Sequence, residues 1–272
     1  DKSHTRPRVL TIGDSCTFGT IESRSYPRVL ERELSRMGHF VEVVNAGVEA
    51  YAPKQVLMRI DEYRSLRPEI TTVYIGWNAL FNETEAFGGI YTGDGWFCTP
   101  RLFSLAYAGF HTLLRGSQAN ALDAYRKRKV PRRDSHELNA LDNYVPAFLD
   151  DVERIVDGMR SVQSRIVLIT LPGLYILDEE PSERALEIGH LPIFTNNPYV
   201  LAKMTTRYNV ALRQLARRHE VTLIDLDQWS RRALHPRDRY FFDSVHLYEE
   251  GQELIGAHLA EQLLPLLPKE KR

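Results

Sequence analysis

Ser15 and His246 are the two side chains of this 272-residue chain whose surroundings in the sequence most suggest chemistry. Ser15 lies in the run Gly13-Asp14-Ser15-Cys16-Thr17-Phe18-Gly19, directly after a short apolar segment. A serine on a turn between a strand and a helix is exposed, and its own N–H can point at a developing oxyanion. The alternative is a plain helix cap, which serine and aspartate both favour.

His246 follows Asp243 by three residues. On a helical turn this spacing places both side chains on one face, so the carboxylate can orient the imidazole toward a nucleophile. The spacing alone is weak evidence, because Asp1 and His4 repeat it at the amino terminus. The chain has nine histidines, and those other than His4 and His246 are interpreted as structural or solvated.

Two further positions offer hydrogen-bond donors to negative charge. Gly47 ends a predicted strand, where the missing side chain lets a backbone N–H approach a ligand closely. Asn78, two residues after Gly76, can donate through its side-chain amide. Each position also fits an ordinary turn or helix cap. Taken together, a nucleophile, a base, an orienting carboxylate and three donors are what acyl transfer from an ester needs.

The elements predicted around these residues follow an α/β pattern. Strands are predicted over residues 8–13, 41–47, 71–77, 165–170 and 221–225, and helices over residues 25–37, 54–66, 141–162, 199–218 and 249–264. This order predicts a doubly wound, flavodoxin-like five-stranded parallel sheet with helices on both faces. Ligands bind beyond the carboxyl ends of such strands, which is where the candidate residues fall. Nothing divides the chain, so residues 1–272 are predicted to form a single domain.

One insertion follows the third strand. Residues 79–140 contain no convincing strand, a helix is predicted over residues 101–115, and aromatic residues occur among glycines. Because the segment follows Asn78, we predict a lid or substrate wall near the site, the alternative being aromatic residues buried in the core. The basic run from Arg126 to Arg133 suits phosphates, a polyanionic glycan or a membrane surface. A solvated helix end is its alternative.

Composition excludes several classes of protein. The 35 Lys and Arg residues balance 36 Asp and Glu residues, and this net charge of −1 makes a nucleic-acid partner unexpected. Cys16 and Cys98 make no disulfide scaffold, and no CxxC pair indicates zinc. No apolar run reaches the about 20 residues of a membrane span, so a soluble chain is expected. A signal or anchor segment ahead of Asp1, membrane contact, compartment and oligomeric state are left open.

The candidate residues fall into blocks that resemble the SGNH, or GDSL-type, hydrolase superfamily. The blocks are in the order of that superfamily over residues 8–246: Gly13-Asp14-Ser15 with Gly19, then Gly47, then Gly76 with Asn78, and last Asp243 with His246. The resemblance implies Ser15 as nucleophile, His246 as general base and acid, and Asp243 as the residue that orients His246. It also implies an oxyanion hole of the Ser15 N–H, the Gly47 N–H and the Asn78 side chain, with no metal or organic cofactor.

Three details qualify this resemblance. The third block of the superfamily usually reads Gly-x-Asn-Asp, and Ala79 replaces the aspartate, which puts loop geometry and substrate contacts in question. An α/β-hydrolase fits less well, because Thr17 stands where the elbow Gly-x-Ser-x-Gly has its second glycine. Cys16 is predicted to point into the core as a small apolar residue, the alternative being a thiol nucleophile.

The predicted function is a serine ester hydrolase that removes a small acyl group, such as acetyl, from a small-molecule or glycan ester, with a carbohydrate favoured. The alternatives are a lipid or thioester hydrolase and an acyltransferase that uses the same three residues. A catalytically silent binding protein on the same fold is an alternative from a different class, and Ala79 is the feature in its favour.

Overall fold

The computed structural model describes residues 6–82 and 128–268, and a five-stranded parallel sheet lies at its centre. The order across the sheet is β2-β1-β3-β4-β5, with strands β1 (Arg8–Gly13), β2 (Glu42–Gly47), β3 (Ile70–Tyr74), β4 (Arg165–Ile169) and β5 (Thr222–Ile224). The inner strands β1, β3 and β4 are buried on both faces, as parallel strands covered by helices are. The predicted doubly wound α/β fold is confirmed.

Helices cover both faces of the sheet. They are α1 (Ser15–Phe18), α2 (Tyr26–Arg36), α3 (Pro53–Met58), α4 (Ile60–Ser65), α5 (Trp77–Asn82), α6 (His136–Ala140), α7 (Leu149–Arg160), α8 (Glu183–Ile188), α9 (Pro198–Arg218), α10 (Leu226–Ala233), α11 (Arg237–Tyr240) and α12 (Glu249–Leu263). Helix α2 packs against α12, while α3 and α4 pack against α7. None of the helices in the described ranges combines the length and apolarity that crossing a bilayer requires.

The strand order determines where a site can form. The chain leaves β1 for β2 on one side and then returns past β1 to β3 on the other side. Such a reversal opens a crevice at the carboxyl ends of the two strands that flank it. Gly13 at the end of β1 pairs with Gly47 of β2 and with Tyr74 of β3, so the three strands end level with one another.

Three predicted boundaries were wrong. The third strand ends at Tyr74 rather than at residue 77, because Trp77 begins α5. The helix predicted over residues 54–66 is broken at Arg59, which ends α3 and precedes α4 with φ −112°. The helix predicted from residue 141 begins only at Leu149, because Pro146 lacks an N–H and disfavours helical backbone in the residue before it.

The insertion is described only at its two ends. The helix predicted over residues 101–115, most of the aromatic residues, Arg126 and Lys127 lie outside the described residues. Residues 128–133 are not helical, so the interpretation of the basic run as a helix end is wrong there. Lys129 is buried, and the Arg133 guanidinium stacks 4.4 Å from the ring centre of Tyr199 and donates to the Leu177 carbonyl at 2.7 Å.

Candidate functional site

The sequence allowed two interpretations of Ser15, an exposed residue on a turn and a plain helix cap. In the structure the cap is Asp14. The Asp14 carboxylate caps α1 by accepting a hydrogen bond from the Cys16 N–H at 3.0 Å. Ser15 is therefore the first residue of the helix rather than its cap. Its N–H belongs to the first turn, where backbone donors have no acceptor within the helix. This arrangement presents both the hydroxyl and the N–H of Ser15 at the carboxyl edge of the sheet.

Ser15, His246 and Asp243 form a continuous chain of hydrogen-bonded side chains. The Ser15 Oγ lies 2.8 Å from the His246 Nε2, and the His246 Nδ1 lies 2.7 Å from the Asp243 Oδ2. The fold brings the serine and the histidine together across 231 residues of sequence. A nucleophile within hydrogen-bond reach of a base, which a third group orients, is the arrangement that activates a serine hydroxyl.

The turn that holds Asp243 is not helical, so the helical-turn interpretation of its spacing to His246 was wrong. The Asp243 Oδ1 instead accepts hydrogen bonds from the backbone N–H groups of Val245 and His246, each at 2.8 Å. Aspartate favours such local turns because its short side chain reaches the backbone two and three residues ahead. One carboxylate oxygen thus builds the turn, and the other orients the imidazole.

The charges around His246 make it a stronger base than an ordinary histidine. Burial lowers the pKa of His246, but the hydrogen bond and the negative charge of Asp243, with smaller contributions from Asp14 and Glu49, outweigh burial and raise it. Burial would likewise raise the pKa of Asp243, yet the hydrogen bond and charge of His246 hold it below the usual value. Asp243 therefore stays ionised while His246 takes up a proton.

Asp14 adds a fully buried carboxylate beside Ser15. Burial raises its pKa, and the Cys16 N–H opposes that effect. The backbone N–H groups of Gly76 and Trp77 also face the carboxylate and lower its pKa, but neither reaches Oδ2 in hydrogen-bond geometry. The Asp14 carboxylate therefore lies between the turn after β1 and the turn after β3.

The other two predicted oxyanion donors lie on either side of β1, and both are engaged by protein acceptors. Gly47 ends β2, and Asn78 is in α5, which follows β3. The Gly47 N–H donates to the Asn45 Oδ1 at 3.0 Å, and the Asn78 Nδ2 donates to the Tyr51 carbonyl at 3.0 Å. A side-chain amide has two N–H bonds, so the contact of Asn78 with Tyr51 leaves it a second donor.

Ala79 and Cys16 both face the interior. Ala79 is buried in α5, where an aspartate would lose its hydration, so the departure from the usual third block suits the packing. The Cys16 thiol is buried and contacts the Val245 carbonyl at 3.4 Å. Burial, together with the charges of Asp14 and Asp243, raises its pKa well above the usual value, which disfavours the thiolate a nucleophile requires.

Sequence reasoning missed two residues that contact this site. The His190 Nδ1 lies 3.9 Å from the Asp243 Oδ2, and the His190 N–H donates to the Ser244 Oγ at 2.9 Å. No local spacing signals His190, because 53 residues separate it from Asp243. The ring of Phe242 stacks on the His246 imidazole, with centres 5.5 Å apart and planes 11° apart. Its place directly before Asp243 was the available signal.

Metal ligands are not gathered at this edge of the sheet. Across residues 6–82 and 128–268, no group of three or more His, Cys, Asp or Glu side chains has an arrangement that could hold a metal ion.

Comparison with known proteins gives a family and a shared fold. The pattern of the GDSL-like lipase/acylhydrolase family matches residues 11–254. The lipase/acylhydrolase from Enterococcus faecalis is similar at 16% identity and a TM-score of 0.56, over 98% of this chain and 100% of that one. An acetyl xylan esterase, AlAXEase, is similar at 13% identity and a TM-score of 0.57, over 96% and 100% of the two chains. TesA is similar at 12% identity and a TM-score of 0.55, over 96% and 99%. No curated protein matches the sequence.

Proposed function

This chain belongs to the GDSL-like lipase/acylhydrolase family, whose members are ester-acting serine hydrolases, and we propose that it removes a small acyl group from a carbohydrate ester through an acyl-Ser15 intermediate. The observation that carries the assignment of roles is the unbroken chain from the Ser15 Oγ through His246 to Asp243. Ser15 is the nucleophile, His246 the general base and acid, and Asp243 the orienting carboxylate.

Acylation of Ser15 follows from this geometry. The Ser15 Oγ attacks the ester carbonyl while its proton passes to the His246 Nε2, and Asp243 stabilises the imidazolium that results. The bond between the acyl carbon and the alcohol oxygen then breaks, and the His246 Nε2 gives the proton to the departing alcohol. Water enters, loses a proton to His246 and attacks the acyl carbon, and the Ser15 Oγ regains a proton as the acid leaves.

The tetrahedral intermediate carries a negative oxygen that needs donors. We assign these to the Ser15 N–H, the Gly47 N–H and the second N–H of the Asn78 amide. Loss of one such donor costs about 2.7–4 kcal/mol in a serine hydrolase. An oxyanion is a stronger acceptor than a neutral amide oxygen, so it can take the Gly47 N–H from the Asn45 Oδ1 when it forms.

The choice of substrate has two supports. The fold is shared with an acetyl xylan esterase, a protein named for an acetylated polysaccharide. Aromatic rings also stand beside the imidazole that must protonate the departing alcohol, and flat aromatic faces suit sugar rings. A lipid ester is the second candidate, because the fold is shared equally with a lipase/acylhydrolase.

Ser15→Ala tests the proposed chemistry. We expect on the order of a 10⁶-fold loss of kcat on acetylated xylo-oligosaccharides and on p-nitrophenyl esters from acetyl to octanoyl. Labelling by a fluorophosphonate probe, read by intact mass, should disappear with it. Cys16→Ala is the matched control in the adjacent residue and should keep both turnover and labelling. Loss of turnover in Cys16→Ala with retention in Ser15→Ala would show that the nucleophile is wrongly assigned.

A further inference from the structure

A cleft of about 560 Å³ opens at the surface close to His246. Its lining contains none of the residues assigned to catalysis and consists of Thr20, Phe242, Tyr248, Glu249 and Glu250. Tyr248 is 43% exposed, a large exposure for an aromatic residue next to a candidate active site. The Tyr248 side chain is therefore accessible to a molecule bound in this cleft.

Two aromatic rings connect the catalytic imidazole to this cleft. Phe242 stacks on His246 with ring centres 5.5 Å apart, and Tyr248 lies against Phe242 with ring centres 5.4 Å apart and planes inclined by 56°. His246 in turn reaches the Ser15 Oγ through Nε2. The Phe242 ring thus forms a shared wall, with the His246 imidazole against it and the cleft lined by Phe242 and Tyr248 beside it.

The proton transfer in the proposed reaction determines which half of the ester lies next to His246. During acylation the Ser15 Oγ bonds to the acyl carbon, the ester C–O bond breaks, and the His246 Nε2 transfers the proton from Ser15 to the alcohol oxygen. Proton transfer needs the alcohol oxygen within hydrogen-bond distance of Nε2. The alcohol half therefore extends past the imidazole, while the acyl half stays with Ser15.

We infer that the Phe242–Tyr248 cleft binds the alcohol half of the substrate, and that this alcohol is a neutral sugar ring. The inference rests on the proposed function and specifies the part of the substrate that the cleft recognises. Tyr248 and Phe242 offer apolar faces to the C–H bonds of the ring, and the rim offers acceptors to its hydroxyl groups.

The rim favours a sugar over other alcohols. Glu249 pairs with Arg24, and Glu250 pairs with Arg239 at 2.6 Å, so each carboxylate is held in place by an arginine. A carboxylate has about four acceptor positions, and these pairs leave some of them for hydroxyl groups. The paired charges do not favour an anionic headgroup, and a fatty alcohol has no hydroxyl groups beyond the ester oxygen that could donate to these acceptors.

The kinetic consequence separates the two halves of the ester. The alcohol leaves when acyl-Ser15 forms, so contacts in this cleft act on acylation and have no effect on hydrolysis of the acyl-enzyme. A variant of the cleft should change the preference among alcohols and leave the preference among acyl groups unchanged.

Tyr248 offers a variant that spares the fold. Its ring is half exposed, and the hydrogen bond that ties it to the Tyr240 carbonyl, at 2.8 Å, comes from its backbone N–H. Tyr248→Leu removes the flat face but keeps an apolar side chain, and Tyr248→Phe keeps the ring. Phe40→Leu is the matched control, because Phe40 is 61% exposed and precedes β2 at the opposite edge of the sheet.

The experiment measures acid release from two series of substrates. One series holds acetate constant and compares ethyl acetate with acetylated xylo-oligosaccharide, and the other holds ethanol constant and compares acetyl with octanoyl. We expect Tyr248→Leu to lower kcat/KM for the acetylated sugar about tenfold relative to ethyl acetate, mainly through KM. The ratio of ethyl acetate to ethyl octanoate should stay constant, and Tyr248→Phe and Phe40→Leu should match the wild type.

The opposite pattern overturns the inference. If Tyr248→Leu alters the preference for acyl length and not the preference for sugar, the cleft holds the acyl half. If wild type and Tyr248→Leu have the same ratio of kcat/KM for the acetylated sugar to kcat/KM for ethyl acetate, the cleft binds no sugar. Ser15-dependent hydrolysis in either case leaves the proposed function standing. Absence of Ser15-dependent hydrolysis across both series would instead refute the proposed function and the inference with it.

Discussion

The backbone of Gly47 lies so close to the backbone of Phe18 that no other residue fits at position 47. A Cβ atom there would come within 2.2 Å of the Phe18 backbone N and 2.6 Å of the Thr17 carbonyl carbon. Phe18 ends the short helix α1 that Ser15 begins. The Asn45 side chain bridges the same gap, because it accepts from the Gly47 N–H and donates to the Phe18 carbonyl at 3.2 Å. Gly47 therefore sets the position of α1 and of Ser15, the proposed nucleophile, in addition to its proposed role as an oxyanion donor.

Gly47→Ala should damage catalysis more than it damages the fold. The atoms that a new methyl group would meet belong to the backbone, so α1 must move and carry Ser15 away from His246. A misplacement of about 1 Å can cost about 10²-fold in rate, and overpacking costs about 1–3 kcal/mol of stability. We expect kcat/KM to fall at least 10²-fold in a p-nitrophenyl acetate assay. Urea unfolding measures the accompanying loss in the free energy of unfolding.

Gly38→Ala is the control for that substitution. Gly38 has φ +88°, which disfavours any side chain, but no heavy atom lies within 4 Å of an added Cβ. We expect a loss of about 1 kcal/mol in the free energy of unfolding and kcat/KM within twofold of the wild type. Wild-type kcat/KM in Gly47→Ala would show that α1 does not depend on this contact.

Asp243→Asn tests the orienting role by chemistry rather than by size. The two backbone N–H groups of the turn still need an oxygen, so the asparagine must direct Oδ1 toward Val245 and His246. Its Nδ2 then faces the His246 Nδ1, which favours the tautomer with the proton on Nε2, where the base must be unprotonated. We expect kcat to fall about 10⁴-fold with the unfolding midpoint nearly unchanged.

Asp61→Asn serves as the control for Asp243→Asn, because the Asp61 side chain is 88% exposed and pairs with Arg64 on the surface of α4. It should leave kcat at the wild-type value. A loss of less than tenfold in Asp243→Asn would mean that another group orients His246.

The pH dependence of kcat/KM should report the raised pKa of His246. Only the unprotonated imidazole can accept the Ser15 proton, so activity rises with pH through that pKa and is lost below it. Because Asp243 and the nearby charges outweigh burial, the midpoint should lie above the ordinary histidine value of about 6.5. A midpoint below that value would contradict the assignment of His246 as the base.

Asp243→Asn should move the same midpoint downward. The substitution removes the hydrogen bond and the negative charge that raise the pKa of His246, and burial then dominates. The residual activity of the variant, followed over the same pH range, gives the measurement. A midpoint that does not move would show that Asp243 affects the orientation of His246 and not its pKa.

Local patterns were sufficient to predict much of the fold. An inner strand of a parallel sheet is a short buried run, and β1 shows this in five consecutive buried residues that end at Gly13. Helix α9 also has clear local signals, because Pro198 lies in its first turn and the Asn197 side chain caps it by accepting a hydrogen bond from the Tyr199 N–H. The break at Arg59 was missed because no proline or glycine marks it, and the start at Leu149 was missed although Pro146 is a local signal for it.

Sequence by itself determined which residue types are available for chemistry, since Ser15, Gly47, Asn78 and His246 stand in short contiguous blocks that can be interpreted one at a time. Only the tertiary structure decided what those residues contact. It brought Ser15 and His246 to 2.8 Å, turned the Asn45 oxygen onto the Gly47 N–H, and placed the Phe242 ring on the imidazole. The physical reason is that hydrogen bonds and ring contacts act over a few ångströms of space, and distance along the chain does not encode them.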